Sequence, residues 1–195
     1  MVVVKIGGSL QSTNYIKKWI NAMRLNKDTS FLVIFGGGKY ADKIRDEQKV
    51  KNYNDLAAHK LAIKSMSYFT QDNLKNMKDF TVINSIKCLK KNYKSRNLLV
   101  WMPSYKEVCN FNIPNNWDAT SDSIALAISK NIKSPLIIIK SSRFNYKRYI
   151  NAFFLKDNIV DTYFSKNYKN SPEKISLVSR EKHFKLREIC KDFFD

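Results

Sequence analysis

Glycine is scarce in this chain: only five occur among 195 residues. Proline is scarcer still, at four, and the three cysteines (Cys88, Cys109, Cys190) are scattered and odd in number. That pattern excludes a disulfide framework, and without ligand spacing it excludes a cysteine-built zinc site. Reduced thiols are the expectation. No apolar run approaches the ~20 residues needed to cross a bilayer. Met1 to Ile6 carry no basic leader and run straight into glycines, so a cytoplasmic rather than exported protein is expected. Acidic residues are also few, 17 against 35 lysines and arginines, for a net charge of +18.

Such an excess suits an anionic partner: nucleic acid, an acidic membrane or phosphorylated ligands. Only seven of the 35 cations are arginine, and Lys, Asn and Ile are abundant together. All three are encoded by A/T-rich codons, so base composition accounts for much of the excess. The lysines are spread along the chain instead of forming a basic tail. A nucleic-acid surface is therefore not expected, and no recognition motif accompanies the charge. A local phosphate site remains compatible with it.

The length suits one compact domain. Four continuous apolar runs, Val2-Val3-Val4, Phe31 to Phe35, Leu98 to Met102 and Leu136 to Ile139, read as strands buried on both faces of a parallel sheet. Between them lie segments of helical spacing. Tyr15, Ile16, Trp19, Ile20 and Met23 recur three and four apart, as do Leu56, His59, Ile63, Met66 and Phe69. Ser123 to Ile132 and Glu181 to Phe194 read as two further helices. Strand alternating with helix predicts a doubly wound α/β sheet. Asn73 to Arg96 reads as a peripheral excursion, while Ser141 to Asn170 shows no organising period.

All five glycines fall in two clusters, Gly7-Gly8 and Gly36-Gly37-Gly38. Each follows an apolar run and precedes a helical segment. A strand opening through glycines onto a helix makes an anion cradle, because backbone without Cβ approaches phosphate closely and donates its N–H groups. Two tight strand–helix turns needing positive φ are the plainer explanation, but two such clusters holding every glycine favour phosphate. Lys5, two residues before the first cluster, ends a strand and would aim at the crevice where ligands bind. Its ammonium suits charge neutralisation in phosphoryl transfer. The third cluster is Trp117-Asp118-Ala119-Thr120-Ser121-Asp122-Ser123, opening an apolar helix. One such residue is explained as an N-cap; the cluster also supplies a carboxylate able to orient a lysine or hold Mg²⁺.

Val3-Val4-Lys5-Ile6-Gly7-Gly8-Ser9, then Val33 to Gly38, then Thr120-Ser121-Asp122-Ser123 resemble the amino-acid kinase superfamily, which includes acetylglutamate, uridylate and isopentenyl phosphate kinases. Asp55-Leu56-Ala57-Ala58-His59, with Ala62-Ile63, Ser65-Met66 and Trp117-Asp118, is similar to the subfamily of aminomethylfuranmethanol phosphate kinases of methanofuran synthesis and their methylotroph homologues. The resemblance implies an αβα sandwich with a mainly parallel sheet, acting on ATP and Mg²⁺. It implies Lys5, Asp122 and Lys182 as catalytic residues. Gly7, Gly8, Ser9 and Lys140 would bind the nucleotide phosphates; Gly36, Gly37, Gly38, His59, Thr120 and Ser121 would bind the acceptor. Mg²⁺ would be held through the nucleotide phosphates, with no certain protein ligand. A core role for His59 on its apolar stripe remains an equal alternative.

After the strand at Leu136 to Ile139 the family carries Thr-Asp-x-Asp-Gly, where this chain has Lys140-Ser141-Ser142-Arg143-Phe144-Asn145. Leu177 to His183 is similar to the subfamily's Val-Val-Asn-Gly-Lys-His with its glycine lost. The expectation is a single domain over 1–195, with an acceptor-side lobe to about residue 130 and a reduced nucleotide-side lobe from about 131. It transfers a phosphoryl group from MgATP to a phosphate-bearing acceptor, in a homodimer or larger homo-oligomer joined through Leu56 to Phe69. The alternatives are a kinase of nucleoside monophosphates or isoprenoid phosphates, and an inactive nucleotide- or oxyanion-binding protein.

Overall fold

The computed structural model describes residues 1–75, 77–89, 98–143 and 159–195. Six strands form one all-parallel sheet: β1 (Val2–Ile6), β2 (Phe31–Phe35), β3 (Phe80–Ile83), β4 (Leu98–Trp101), β5 (Leu136–Lys140) and β6 (Ile175–Ser179). Their order is β3-β4-β2-β1-β5-β6. Every residue of β1, β2 and β4 is buried. This is why these strands read as unbroken apolar runs: each is covered on both faces.

Alternation along β1 divides the core. Val2, Val4 and Ile6 face one side, with Val33, Phe35, Ile137 and Ile139 beside them. There they meet Trp19 and Met23 of α1 (Tyr15–Leu25), and Ile189 and Phe193 of α7 (Leu186–Phe194). Val3, Leu32, Ile34 and Ile138 face the other side. They pack against Ile63 and Met66 of α3 (Asp55–Leu74), Ile124 and Ile128 of α5 (Ser121–Ile132), and Phe164 of α6 (Thr162–Asn167). The helix α2 (Gly38–Lys51) packs on α3, and a single turn, α4 (Tyr105–Val108), follows β4. The period of two is what sends Lys5 to the α5 side.

The architecture is the expected αβα sandwich, with two more strands than the four apolar runs announced. Phe80–Ile83, expected in a peripheral excursion, is a paired edge strand, and its partial exposure hides it among polar neighbours. β6 holds two serines among five buried residues, which broke its apolar signature. The expected C-terminal helix begins at Leu186, not Glu181. Arg180–Lys185 is a 3₁₀ segment in which Lys182 leaves helical geometry at φ −88°, ψ 22°. In α3, His59, Ile63, Met66 and Phe69 are buried as expected, but Leu56 in the first turn is 42% exposed. Residues 90–96 of the expected excursion and 144–158 of the unorganised stretch lie outside the described residues.

Candidate functional site

Because all strands run in parallel and β1 neighbours β2, the two glycine clusters emerge side by side at one edge. Backbone there packs on backbone. A Cβ at Gly8 would lie 2.2 Å from the Gly38 nitrogen, and Gly38 itself holds φ +51° at the start of α2. Neither position has room for a side chain, since a Cβ at Gly38 would also lie 2.7 Å from the Phe69 ring. The Gly7 amide donates to the Ile139 carbonyl at 3.0 Å, and the Gly36 amide to that of Ile6 at 2.9 Å, so sheet hydrogen bonding continues into both loops. Gln11 joins them further, its Oε1 accepting from the Lys39 amide at 2.8 Å. Ser9 donates its hydroxyl to Ser141 beyond β5, at 2.9 Å.

Below the loops lies a buried ion cluster. Asp122, in the first turn of α5 and 2% exposed, has Lys5 Nζ 2.8 Å from Oδ1 and Lys140 Nζ against Oδ2. Burial alone would raise the Asp122 carboxyl, but Lys140 and Lys5 outweigh it and bring its pKa down to about 2. Burial lowers the Lys5 ammonium to about 8, against the pull of Asp122 and with added repulsion from Lys140. The cluster therefore carries one positive charge more than its carboxylate neutralises, under a loop of backbone amides. That is a phosphate-binding electrostatic arrangement.

Asp161 was not apparent in the sequence, since it falls within the unorganised stretch. Its carboxylate accepts from the Thr120 amide and hydroxyl, both at 2.8 Å, from the Ser123 amide at 3.1 Å and from the Ser123 hydroxyl. It also caps α6 through the Phe164 amide at 2.9 Å. One side chain thus fixes two helix starts, including the turn carrying Asp122. The Thr120 hydroxyl, expected on the acceptor, donates its hydrogen bond to Asp161.

Beside the loops opens a cavity of about 180 Å³. Gly8, Ser9, Gly37, Gly38, His59, Thr120 and Ser121 all line it, so most of the expected acceptor residues meet there. The stripe Gly38, Ala41, Asp42 and Arg45 along α2 makes one wall, and Met66, Trp117 and Ile124 contribute to the others. Asp42 and Arg45 went unnoticed in the sequence, although their spacing from Gly38 is helical. His59 is 4% exposed, and desolvation lowers its pKa while a hydrogen bond to the Asn116 backbone opposes the shift. Its Nε2 is buried with no hydrogen-bond partner among the described residues. This histidine lies on the buried stripe of α3 and also lines the cavity.

Lys182 follows β6 at the same sheet edge, with Nζ 5.9 Å from the Phe184 ring centre. The ion-pair partners of Asp122 are Lys5 and Lys140, and Lys182 is not among them. Among the described residues no group of three or more His, Cys, Asp or Glu side chains is poised to hold a metal. No helix described is long and apolar enough to cross a membrane.

No family model matches the chain. It is 29% identical over 148 residues to the [5-(aminomethyl)furan-3-yl]methyl phosphate kinase of Methanocaldococcus jannaschii, an alignment covering 71% of this chain and 64% of that protein. The chain thus spans a little under two thirds of the length of this curated relative. Among solved structures it is similar to the uridylate kinase of Archaeoglobus fulgidus, with a TM-score of 0.70, 15% identity, and coverage of 96% of this chain and 95% of that one. It is also similar to the carbamate kinase of Giardia lamblia bound to AMP-PNP, with a TM-score of 0.56, 12% identity, and coverage of 96% and 94%. Alignment over nearly the whole of both structures, together with the parallel six-stranded sheet and its paired glycine loops, establishes that this chain has the amino-acid kinase fold.

Proposed function

We propose that the chain is a phosphotransferase that moves a phosphoryl group from MgATP onto a small acceptor already bearing a phosphate, giving a diphosphate. The observation that carries the proposal is the buried Lys5–Asp122–Lys140 cluster beneath two interlocked glycine loops. A protein that only bound an anion would gain little from burying a carboxylate there. A protein that must hold two ammonium groups against developing charge needs one. The relative from M. jannaschii is named for a phosphate acceptor, and its aminomethylfuran phosphate is the acceptor we favour.

The residues fit phosphate groups in charge: two ammonium groups share one buried carboxylate at the carboxyl ends of β1 and β5. Mg²⁺ would be held through the nucleotide phosphates, since both Asp122 oxygens face lysines. A bound MgATP supplies the phosphoryl group and part of the charge neutralisation. Lys5 holds its ammonium toward the transferring group, and Lys140 holds the other side of Asp122. The carboxylate holds both lysines in place, while loop amides would donate to phosphate oxygens. The acceptor phosphate is already anionic near neutral pH, so it needs no strong general base, and neutral His59 serves as a hydrogen-bonding group. Lys182 lies at the same edge, where a swing of its side chain would bring it toward the nucleotide. We further propose one domain over 1–195, a cytoplasmic location, and a homo-oligomer joined through α3.

The test is phosphorus NMR of the protein with MgATP and a panel of phosphate monoesters, including aminomethylfuranmethanol phosphate, UMP and an isoprenoid phosphate. Diphosphate formed on one of them supports the reading and identifies the acceptor. ATP and acceptor binding without any diphosphate would replace it with an inactive binding protein.

A further inference from the structure

The wall that α2 presents to the cavity is graded. Gly38 and Ala41 lie nearest the glycine loops, Asp42 comes next, and Arg45 stands furthest out. At 1.5 Å of rise per residue, Asp42 is about 6 Å along the helix from Gly38. Asp42 is the one carboxylate lining this cavity.

Its surroundings are unusual for so basic a chain. Three residues further along α2, Arg45 is placed where an i,i+3 ion pair is ordinarily available. Its guanidinium instead lies over the Trp117 ring, 4.4 Å from the centroid. Trp117 is itself anchored, its Nε1 donating to Gln48 Oε1 at 2.6 Å. Gln48 is held in turn by its amide donating to the Tyr53 carbonyl at 3.1 Å and to Asp55 at 2.9 Å. Arg45 is thereby kept on the tryptophan. Elsewhere on the same helix Lys43, Lys49 and Lys51 do pair with acids. Asp42 has no cation among the described residues, although the chain holds twice as many cations as acids.

A carboxylate left uncompensated on a cavity wall is suited to a cationic ligand group. It lies a short ring's length from a phosphate cradle, with the apolar Met66 and Ile124 among the walls between. We propose that Asp42 is the specificity residue for an ammonium group on the acceptor, so that this site selects phosphate monoesters carrying a primary amine on a short flat body. The phosphate end would seat at the glycine loops and the ammonium would donate to Asp42, a charge-assisted contact. An anionic or neutral substituent there would leave the carboxylate repelled or unpaired, which disfavours competing phosphates. The inference rests on the acceptor-side reading of the cavity, but not on phosphoryl transfer taking place.

The test is calorimetric titration of two probes, [5-(aminomethyl)furan-3-yl]methyl phosphate and the analogue with methyl in place of aminomethyl, into the parent and Asp42→Asn. The parent should bind the amine about tenfold or more tightly than the methyl analogue, and Asp42→Asn should shrink that preference to about twofold or less. Because Asp42 is exposed and pairs with none of the described residues, the variant should fold like the parent, as its unfolding curve would check. An amine preference that survives Asp42→Asn overturns the proposal, as does the absence of any preference in the parent or failure of both probes to bind. Amine binding that depends on Asp42 without diphosphate formation would uphold this inference and break the kinase reading. Equal turnover of both probes, unchanged in the variant, would do the reverse.

Discussion

At the carboxyl ends of β1 and β2, backbone meets backbone, and the polar groups beneath are buried and paired to one another. At the carboxyl end of β6, contacts are made by long side chains in solvent: Arg143 pairs with Glu181 at 2.9 Å while 76% exposed, and Lys182 lies over an exposed Phe184. The first region has almost no freedom to rearrange, because a glycine contact, a buried ion cluster and the Asp161 double cap each fix it independently. The second is tied to α1 by Trp19 Nε1 donating to the Arg180 carbonyl at 2.8 Å, and its other polar contacts are surface ion pairs, which contribute at most about 1 kcal/mol each. The glycine-loop side of the site is thus the more tightly fixed, and the exposed side chains after β6 have the more freedom.

Substitutions should expose that asymmetry, and the largest effect is expected at Lys5. Lys5→Met removes the ammonium beneath the loops but leaves Asp122 paired with Lys140, so the fold should persist while diphosphate formation drops about a hundredfold or more. Parent-like turnover would remove Lys5 from the mechanism. The same group predicts a pH profile: with its pKa at about 8, transfer by the parent should decline as pH rises through that value.

Gly8→Ala attacks the loop contact directly. Its new methyl would sit 2.2 Å from the Gly38 nitrogen, where backbone has to move, so a loss of about 1–3 kcal/mol is expected in denaturant unfolding. Gly7→Ala meets its nearest neighbour at 3.1 Å and should cost less. Equal stabilities for the two would mean the loops are not interlocked.

A paired comparison of lysines sharpens the contrast between the regions. Lys140→Ala, which takes a cation from buried Asp122, should lower turnover about tenfold or more, whereas Lys182→Ala should lower it about threefold or less. The opposite order would return the second catalytic cation to Lys182 and show that ligand binding redraws the β6 edge.

The smallest expected effect is on acid stability. The Asp122 carboxyl titrates at about 2 in the folded protein against an ordinary 3.8, so between these values the unfolded chain binds more protons. Its contribution is complete above 3.8 and is lost as pH falls through about 2. Asp122→Asn should flatten that limb in unfolding curves measured down the acid range. An unchanged slope would place the acid sensitivity elsewhere.

Much of this site was legible in one dimension because its chemistry depends on residues with few substitutes. Only glycine tolerates the close approaches at Gly8 and Gly38, so both loops stand out in a chain with no glycine outside them. Lys5 was conspicuous as a charge inside an apolar strand, and Asp122 as an acid opening an apolar helix. Asp42, Arg45 and Asp161 carried no such mark: each is an ordinary charged residue among charged neighbours, and its role depends on what packs opposite. β3 was likewise obscured, since an edge strand exposed on part of its surface lacks the continuous apolar run of a central one.

The sequence alone determined the strand–helix alternation and the two phosphate-like loops. Those features follow from local burial periodicity and backbone sterics, which act over a few residues. Tertiary structure alone decided that the loops touch, that Lys140 shares Asp122 with Lys5, that Asp161 caps two helices at once, and that Arg45 rests on Trp117 and leaves Asp42 unpaired. Most of these contacts join residues far apart in the chain, while the unpaired Asp42 follows from Arg45 resting on a tryptophan 72 positions along the sequence. Their energies exist only once the sheet order has brought the carboxyl ends of β1, β2 and β5 to one edge.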